Sequence, residues 1–273
     1  MGVTYASARR KWAWAEQHKH ALEADFKRLA QFKGEMAALQ FDHDAATNRI
    51  KGSVKLVTIV VKLGDDVPRL SDDFPLILGD AIHNYRSTLD HLTWDLVKRF
   101  GAKLNRKQAM DVQFPIHTSA AAFKNMRHRR TPGVPDKPHR ALIKRYQPYR
   151  RGDGPKAIGW LNTLSSHDKH RELIPSIIAP KGVLIAAQSL TPGVQLLGYR
   201  ALLTGPSAIN PGTPVAELDL SVPLSLQSGQ AQVAVNTKFT LLPLLSRKRH
   251  IGGVLEAISA TTLTIIEAME AEG

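Results

Sequence analysis

Cysteine is absent from the 273 residues, which excludes disulfide scaffolds, thiolate zinc sites, iron–sulfur clusters and cysteine nucleophiles. Long apolar runs are also missing. No stretch approaches the ~18 uninterrupted apolar residues of a membrane-spanning helix, so no membrane association is expected. The segment from Met1 to Lys11 has no apolar signal core, and the expected location is the cytoplasm. Gly152-Asp153-Gly154-Pro155-Lys156 lacks the Gly-x4-Gly-Lys-Ser/Thr spacing of a nucleotide loop. Internal repeats and low-complexity segments are lacking as well. Acidic residues are the scarcer charge, 24 against 37 Lys and Arg, which leaves +13. What remains is globular composition, 43% hydrophobic and 22% charged, enough for a sizeable core.

The positive excess is concentrated. Residues 1–120 carry 18 basic and 14 acidic side chains, 121–156 carry 11 and 2, and 157–273 carry 8 and 8, so 9 of the 13 net charges fall in 121–156. A protein this basic points to nucleic acid or another polyanion as partner. The same stretch holds Pro132, Pro135, Pro138, Pro148 and Pro155, which rules out one long helix and predicts short helices joined by turns. Lys124, Arg127, Arg129, Arg130, Arg140, Lys144, Arg145, Arg150 and Arg151 are the candidate phosphate contacts. Tyr146 and Tyr149 among them are candidates for base stacking. The bland alternative is a solvated basic surface.

Apolar spacing predicts helices near 6–33, 73–100, 157–171 and 250–271. Leu78, Ile82, Tyr85, Leu89, Leu92 and Leu96 make the 73–100 stripe, with Asp72 or Asp73 as cap, Pro75 in the first turn and Gly101 as stop. Leu39 to Phe41 and Ile50 to Val61, split by Asp44 to Asn48, suggest an antiparallel hairpin. From 173 to 242 the character changes. Val183 to Ala187, Val194 to Leu203, Val215 to Val222 and Gln230 to Leu241 read as strands between Pro, Gly and Ser turns. Helices at both ends enclose the strands without a polar linker. The expected fold is therefore α+β, a helical bundle packed with an antiparallel sheet in one domain over 1–273.

The polar side of the 73–100 helix carries Asp80, His83, Asn84, Arg86, Ser87, Asp90 and His91 in place of the usual Lys, Glu and Gln. Arg86 and Asp90 are four apart and can pair along the helix. A satisfied structural network between helices is the plain explanation. Arg86-Ser-Thr-Leu-Asp-His91 also resembles the Arg-x4-6-His motif of the HEPN superfamily, helical-bundle proteins that include metal-independent ribonucleases of toxin–antitoxin and phage-defence systems. The common form has a polar Asn, Asp or His after the Arg, where Ser87 stands here. The resemblance implies Arg86 as the clamp on the scissile phosphate and His91 as general acid/base. It also implies a homodimer and an antitoxin or defence partner. The chemistry suits the residues, because imidazole moves protons near neutral pH and guanidinium neutralises developing phosphorane charge.

A second cluster, His167-Asp168-Lys169-His170-Arg171, ends the 157–171 helix. Asp168 continues the apolar stripe there and needs a cation, for which Arg86 is one candidate. Joined into one site, His83, Asp90, Asp168, His170 and Arg171 would support Arg86 and His91. The first reading is thus an RNA-binding protein that could act as a metal-independent ribonuclease, with no cofactor and no metal. A non-enzymatic nucleic-acid or polyanion binder is the second. A metal-dependent hydrolase or oxygenase using these His and Asp side chains is the third. Against the third, His83 and His91 lie about 80° apart around the helix.

Overall fold

The computed structural model describes residues 4–31, 37–40, 47–62, 70–100, 103–170, 177–202, 212–227, 230, 232–246 and 249–272. For 30–31, 37–40, 47–48, 167–170, 177–190, 232–246 and 249 it describes the backbone alone. The chain is α+β and forms two compact units. One comprises residues 1–24, 71–175 and 251–273, the other 25–70 and 176–250.

The first unit is helical. Its elements are α1 (Ala6–Gln31, of which residues 6–24 belong here), α2 (Phe74–Arg99), α3 (Arg106–Asp111), α4 (Ala120–Arg130), α5 (Ala141–Arg145), α6 (Asp153–His170) and α7 (Ile251–Ala271). Leu78, Ile82, Tyr85, Leu89, Leu92 and Leu96 of α2 are all buried, each worth roughly 1.5–3 kcal/mol on removal from water. Asp73 stands at the amino end of α2 without a side-chain cap bond, while Pro75 occupies the first turn as expected. Gly101, the expected stop, lies outside the described residues. The helix expected over 157–171 begins four residues earlier, at Asp153. Gly154 and Pro155 read as a turn in the sequence, yet proline is tolerated in a helical first turn because its missing N–H has no intrahelical role there. By composition α7 is apolar enough to cross a membrane, with mean hydropathy 1.4. Its stripe of Ile251, Val254, Leu255, Ile258, Ile265, Ile266 and Met269 is nevertheless buried, and α7 packs on α2 and α6 as a core helix.

One carboxylate ties three of these helices. Glu16 of α1 accepts hydrogen bonds from the Tyr85 hydroxyl of α2 and the Ser259 hydroxyl of α7, and pairs with Lys19 at 2.7 Å. Lys19 reaches on to Glu256 of α7 at 3.0 Å. Burial pushes the Glu16 pKa up, but the hydrogen bonds from Lys19, Ser259 and Tyr85 outweigh it, and the net direction is down. Burial and the Glu16 carboxylate together push the Tyr85 phenol up, so it stays a donor.

The second unit contains two antiparallel sheets. β2 (Thr47–Lys51), β3 (Val54–Lys62), β6 (Pro214–Pro223) and β5 (Gln195–Ala201) form one, in the order β2-β3-β6-β5. β1 (Ala37–Gln40), β7 (Gln232–Ser246) and β4 (Ile177–Leu190) form the other, with β8 (Arg249–His250) also on β7. The expected hairpin between Leu39 and the Ile50–Val61 run is not made. Leu39 pairs with Val233 of β7, and the Ile50–Val61 run itself folds back at Gly52-Ser53. Gly52 has φ +63, the left-handed backbone that a two-residue Gly-first hairpin turn requires. In the β3–β6 pair, Val57, Ile59, Val61, Leu218, Leu220 and Val222 are buried while Val60 is 45% exposed, the period-two pattern of a sheet with one covered face.

Replacing Glu16 with Leu would leave the Tyr85 and Ser259 hydroxyls and the Lys19 ammonium without their common acceptor. Urea denaturation should show a loss of about 2–3 kcal/mol, and less for Glu16→Gln, whose amide oxygen still accepts. Because the folded pKa is depressed, the wild-type contribution is complete above the ordinary value of 4.5 and fades as pH falls through the folded value. Glu16→Gln should flatten that acid-side loss in a pH series of melting curves.

Candidate functional site

The basic stretch folds as expected into short helices and turns. Ser119 caps α4, its hydroxyl accepting from the Ala122 amide at 3.2 Å. After α4 comes a turn at Asp136–Arg140, kinked at Lys137, then α5 and the start of α6. The nine candidate phosphate contacts separate into three groups. Arg129 is paired with Asp111 at 2.9 Å, and Arg130 donates to the Asp111 carbonyl at 3.1 Å. Arg140 is 8% exposed and donates to the Thr131 hydroxyl at 3.1 Å, the Thr131 carbonyl at 2.7 Å and Asp136 at 3.2 Å. Arg140 holds the segment together from within, while Arg129 and Arg130 tie it to Asp111 at the end of α3. Arg127, half-buried, donates to His128 at 3.2 Å. Lys124, Lys144, Arg145, Arg150 and Arg151 are exposed, with no carboxylate partner among the described residues, and Lys137 joins them. The tyrosines are used structurally. Tyr146 lies against Gly154 so closely that a Cβ there would come within 3.0 Å of its ring. Tyr149 packs on Phe123 at 6.4 Å, with Arg150 over its ring at 5.5 Å.

The polar side of α2 resolves into two faces. His83 is exposed and meets Ser87 at 3.4 Å, while His91 is half-buried. Arg86 is 9% exposed. His91 is five residues on from it, roughly 140° around the helix, so the two side chains leave α2 in different directions. Asn84 and Thr88 are also buried, and satisfy themselves on the helix backbone at Asp80 and Asn84, both at 2.8 Å. Asp168 and His170 belong to α6 with only their backbone described, and Arg171 lies outside the described residues. Arg86 takes its carboxylate from its own helix, pairing with Asp90 at 3.1 Å as the four-residue spacing predicts.

That pair grips a non-helical segment. Arg86 Nη2 donates to the Phe114 carbonyl at 2.8 Å, and the Phe114 amide donates to Asp90 at 2.9 Å. The segment continues to Pro115, whose carbonyl accepts from Gln147 Nε2 at 2.7 Å, and to His117, whose amide donates to Gln147 Oε1 at 3.0 Å. The His117 ring meets Phe123 edge-on at 6.4 Å. Burial pushes the His117 pKa down, and the charges of Arg130 and Arg86 push it further. The imidazole is therefore neutral near pH 7 and lies within the field of Arg86.

Arg86 Nη1 and His117 Nε2 are buried without a hydrogen-bond partner among the described residues, as are Tyr5 Oη, Tyr149 Oη and both ring nitrogens of His139 elsewhere in the chain. Leaving such a group unsatisfied costs about 1–3 kcal/mol, and more when it is charged. Native proteins hold few of these groups, and Arg86 and His117 each leave one beside the clamped segment. Sequence reasoning singled out Arg86 and Asp90 and missed His117 as a site residue. Its only signal is a histidine following Phe114-Pro115 between two helices, with no periodic pattern to weigh. Among the described residues no three His, Asp or Glu side chains come together as a metal-binding group.

Arg86→Met should cost about 2–3 kcal/mol in denaturant titration, because the buried Phe114 carbonyl and Asp90 lose a charged donor. Asp90→Asn should cost about 1 kcal/mol, since its amide oxygen can still accept from Phe114. Comparison of the chain with family models, with curated proteins and with solved structures finds no match.

Proposed function

We propose that this protein binds nucleic acid, RNA in the first instance, by gripping backbone phosphates with the cations of its α4–α6 region. The observation that supports this reading is the sorting of that region's charge. Arg129, Arg130 and Arg140 are neutralised or buried and Lys156 pairs with Asp153, while Lys124, Lys137, Lys144, Arg145, Arg150 and Arg151 are exposed with no carboxylate partner among the described residues. A merely solvated surface would gain from interspersed acids, as the rest of the chain has. Lysine and arginine left without counter-charges repel one another until an anion enters, and a polyanion releases its own counterions in doing so. Since both tyrosine rings are engaged within the protein, the reading favours phosphate contacts over base stacking, and hence weak sequence preference.

Fluorescence anisotropy with a single-stranded RNA tests this across a salt series. Binding should weaken steeply as salt rises. Replacing Lys144, Arg145, Arg150 and Arg151 together with Gln should lower the slope of log affinity against log salt by about 3, since each phosphate no longer neutralised removes about 0.7. A slope equal to wild type would remove the reading.

Backbone cleavage without a metal is the second reading, and the free Nη1 edge of buried Arg86 supports it. In that reading Arg86 neutralises the scissile phosphate and His91 moves the proton. End-labelled RNA incubated with wild type in EDTA should then be cut, with Arg86→Ala and His91→Ala inactive. Folded wild type that shifts RNA without cutting it leaves binding alone.

A further inference from the structure

Arg127 and His128 meet in the last turn of α4. The guanidinium Nε donates to His128 Nε2 at 3.2 Å, so that ring nitrogen carries no proton and the imidazole is neutral. Protonating it would abolish the hydrogen bond and set two cations against each other at that distance. The surroundings give little relief. The charged groups acting on His128 are Arg127 from its own helix and Arg140 and Asp136 from the turn that follows. Asp136 is the carboxylate in this set, and Arg140 already engages it at 3.2 Å. Arg129 and Arg130, next along α4, are held by Asp111. With the imidazole neutral, Arg127 and Arg140 against Asp136 leave one positive charge, and a protonated His128 would make it two. Partial desolvation, then the charges of Arg140 and Arg127, accordingly push the His128 pKa below its ordinary 6.5, and the opposite pull of Asp136 does not prevail. The pair is open to ligands, since His128 is exposed and Arg127 half-buried. With 3.2 Å between their nitrogens, both side chains are within reach of a single phosphate group. Such an anion accepts from each of them, replaces the hydrogen bond they make together, and removes the repulsion that keeps His128 neutral.

We propose that Arg127 and His128 form a proton-linked phosphate site, in which His128 takes up a proton as the anion seats. The choice of ligand, a backbone phosphate, rests on the RNA-binding reading above, and a free polyphosphate shares its chemistry. Solvent supplies the proton and Nε2 receives it. Arg127 Nε is released in the same step, and both nitrogens then donate to phosphate oxygens. The direction of the pH dependence follows from the two states. The anion-free pKa of His128 is depressed, and a bound anion raises it by favouring the charged ring. Affinity is flat above the raised value. As pH falls between the two values, one proton gives a gain of up to about tenfold per pH unit, and below the depressed value the gain is complete. Lys144, Arg145, Arg150 and Arg151 are fixed charges over this range. His128 is the contact that makes the grip tighten on mild acidification.

The test follows the His128 ring by NMR through a pH titration of the full-length protein. His128→Gln identifies the ring by the signal it removes. Its amide oxygen still accepts from Arg127 but takes no proton, and thermal melting verifies that the variant folds. Titrations are run without ligand, with a single-stranded RNA, and with pyrophosphate, all at matched ionic strength. Each anion should raise the His128 pKa by about one unit. Fluorescence anisotropy between about pH 8 and about pH 5.5 gives a second readout. Wild-type affinity for the RNA should climb more steeply on acidification than that of His128→Gln. The slope of log affinity against log salt should also steepen by about 0.7 more in wild type, for the one further phosphate neutralised. If RNA does not bind at any pH while pyrophosphate still raises the His128 pKa, the site stands and the RNA reading falls. If neither anion moves the His128 titration, the proposal is overturned. Salt-sensitive RNA binding above neutral pH reports separately on the fixed cations, so the two readings fail independently.

Discussion

Phe114 is held at both of its backbone groups by one helix turn. Its amide donates to Asp90 and its carbonyl accepts from Arg86. An Arg–Asp pair four residues apart on an isolated helix contributes a few tenths of a kcal/mol. Here the same pair replaces a ladder that the segment after α3 does not have. Buried backbone must be paired with something, and this stretch takes side chains for the purpose, Asp90 and Arg86 at Phe114 and Gln147 at Pro115 and His117. The geometry of the site follows from that clamp. It orients the guanidinium, leaves Nη1 over, and fixes His117 three residues further along.

The chain uses its positive charge in two physical regimes. Inside the helical unit arginines act as multidentate hydrogen-bond donors to carbonyls, a role suited to the rigid, weakly hydrated guanidinium. Arg140 on Thr131 and Arg86 on Phe114 are of this kind. Outside, Lys124, Lys144, Arg145, Arg150 and Arg151 act through the field they create together. The first set gives the segment its shape, and the second gives it a long reach in solution that salt attenuates.

Helices were legible wherever a 3.6-residue stripe met a core. All six stripe positions of α2 are buried, and the four strand-like runs of the 173–242 region overlap β4, β5, β6 and β7, with β4 running on through Pro180-Lys181-Gly182. The hairpin failed for a local reason, because Gly52-Ser53 sits inside an apolar run and its turn chemistry was outweighed by hydrophobicity. The start of α6 failed because Gly154-Pro155 signals both a turn and a helical first turn. At the site, Arg86 and Asp90 could be paired from spacing alone. His117 could not, since its hydrogen-bond partner Gln147 is thirty residues further on and meets it only through tertiary packing. Composition likewise counted Arg129, Arg130 and Arg140 with the binding cations, because a count of charge carries no direction.

The Glu16–Ser259 hydrogen bond joins residues 243 positions apart, and the whole of the strand-rich unit is encoded between them. During synthesis the apolar stripes of α1 and α2 therefore emerge from the ribosome long before α7 exists to cover its share of them. The nascent helical unit must wait, partly uncovered, while a second unit is made within its span. Such an order gives contacts of long sequence separation, which must wait for loop closure before they contribute to stability.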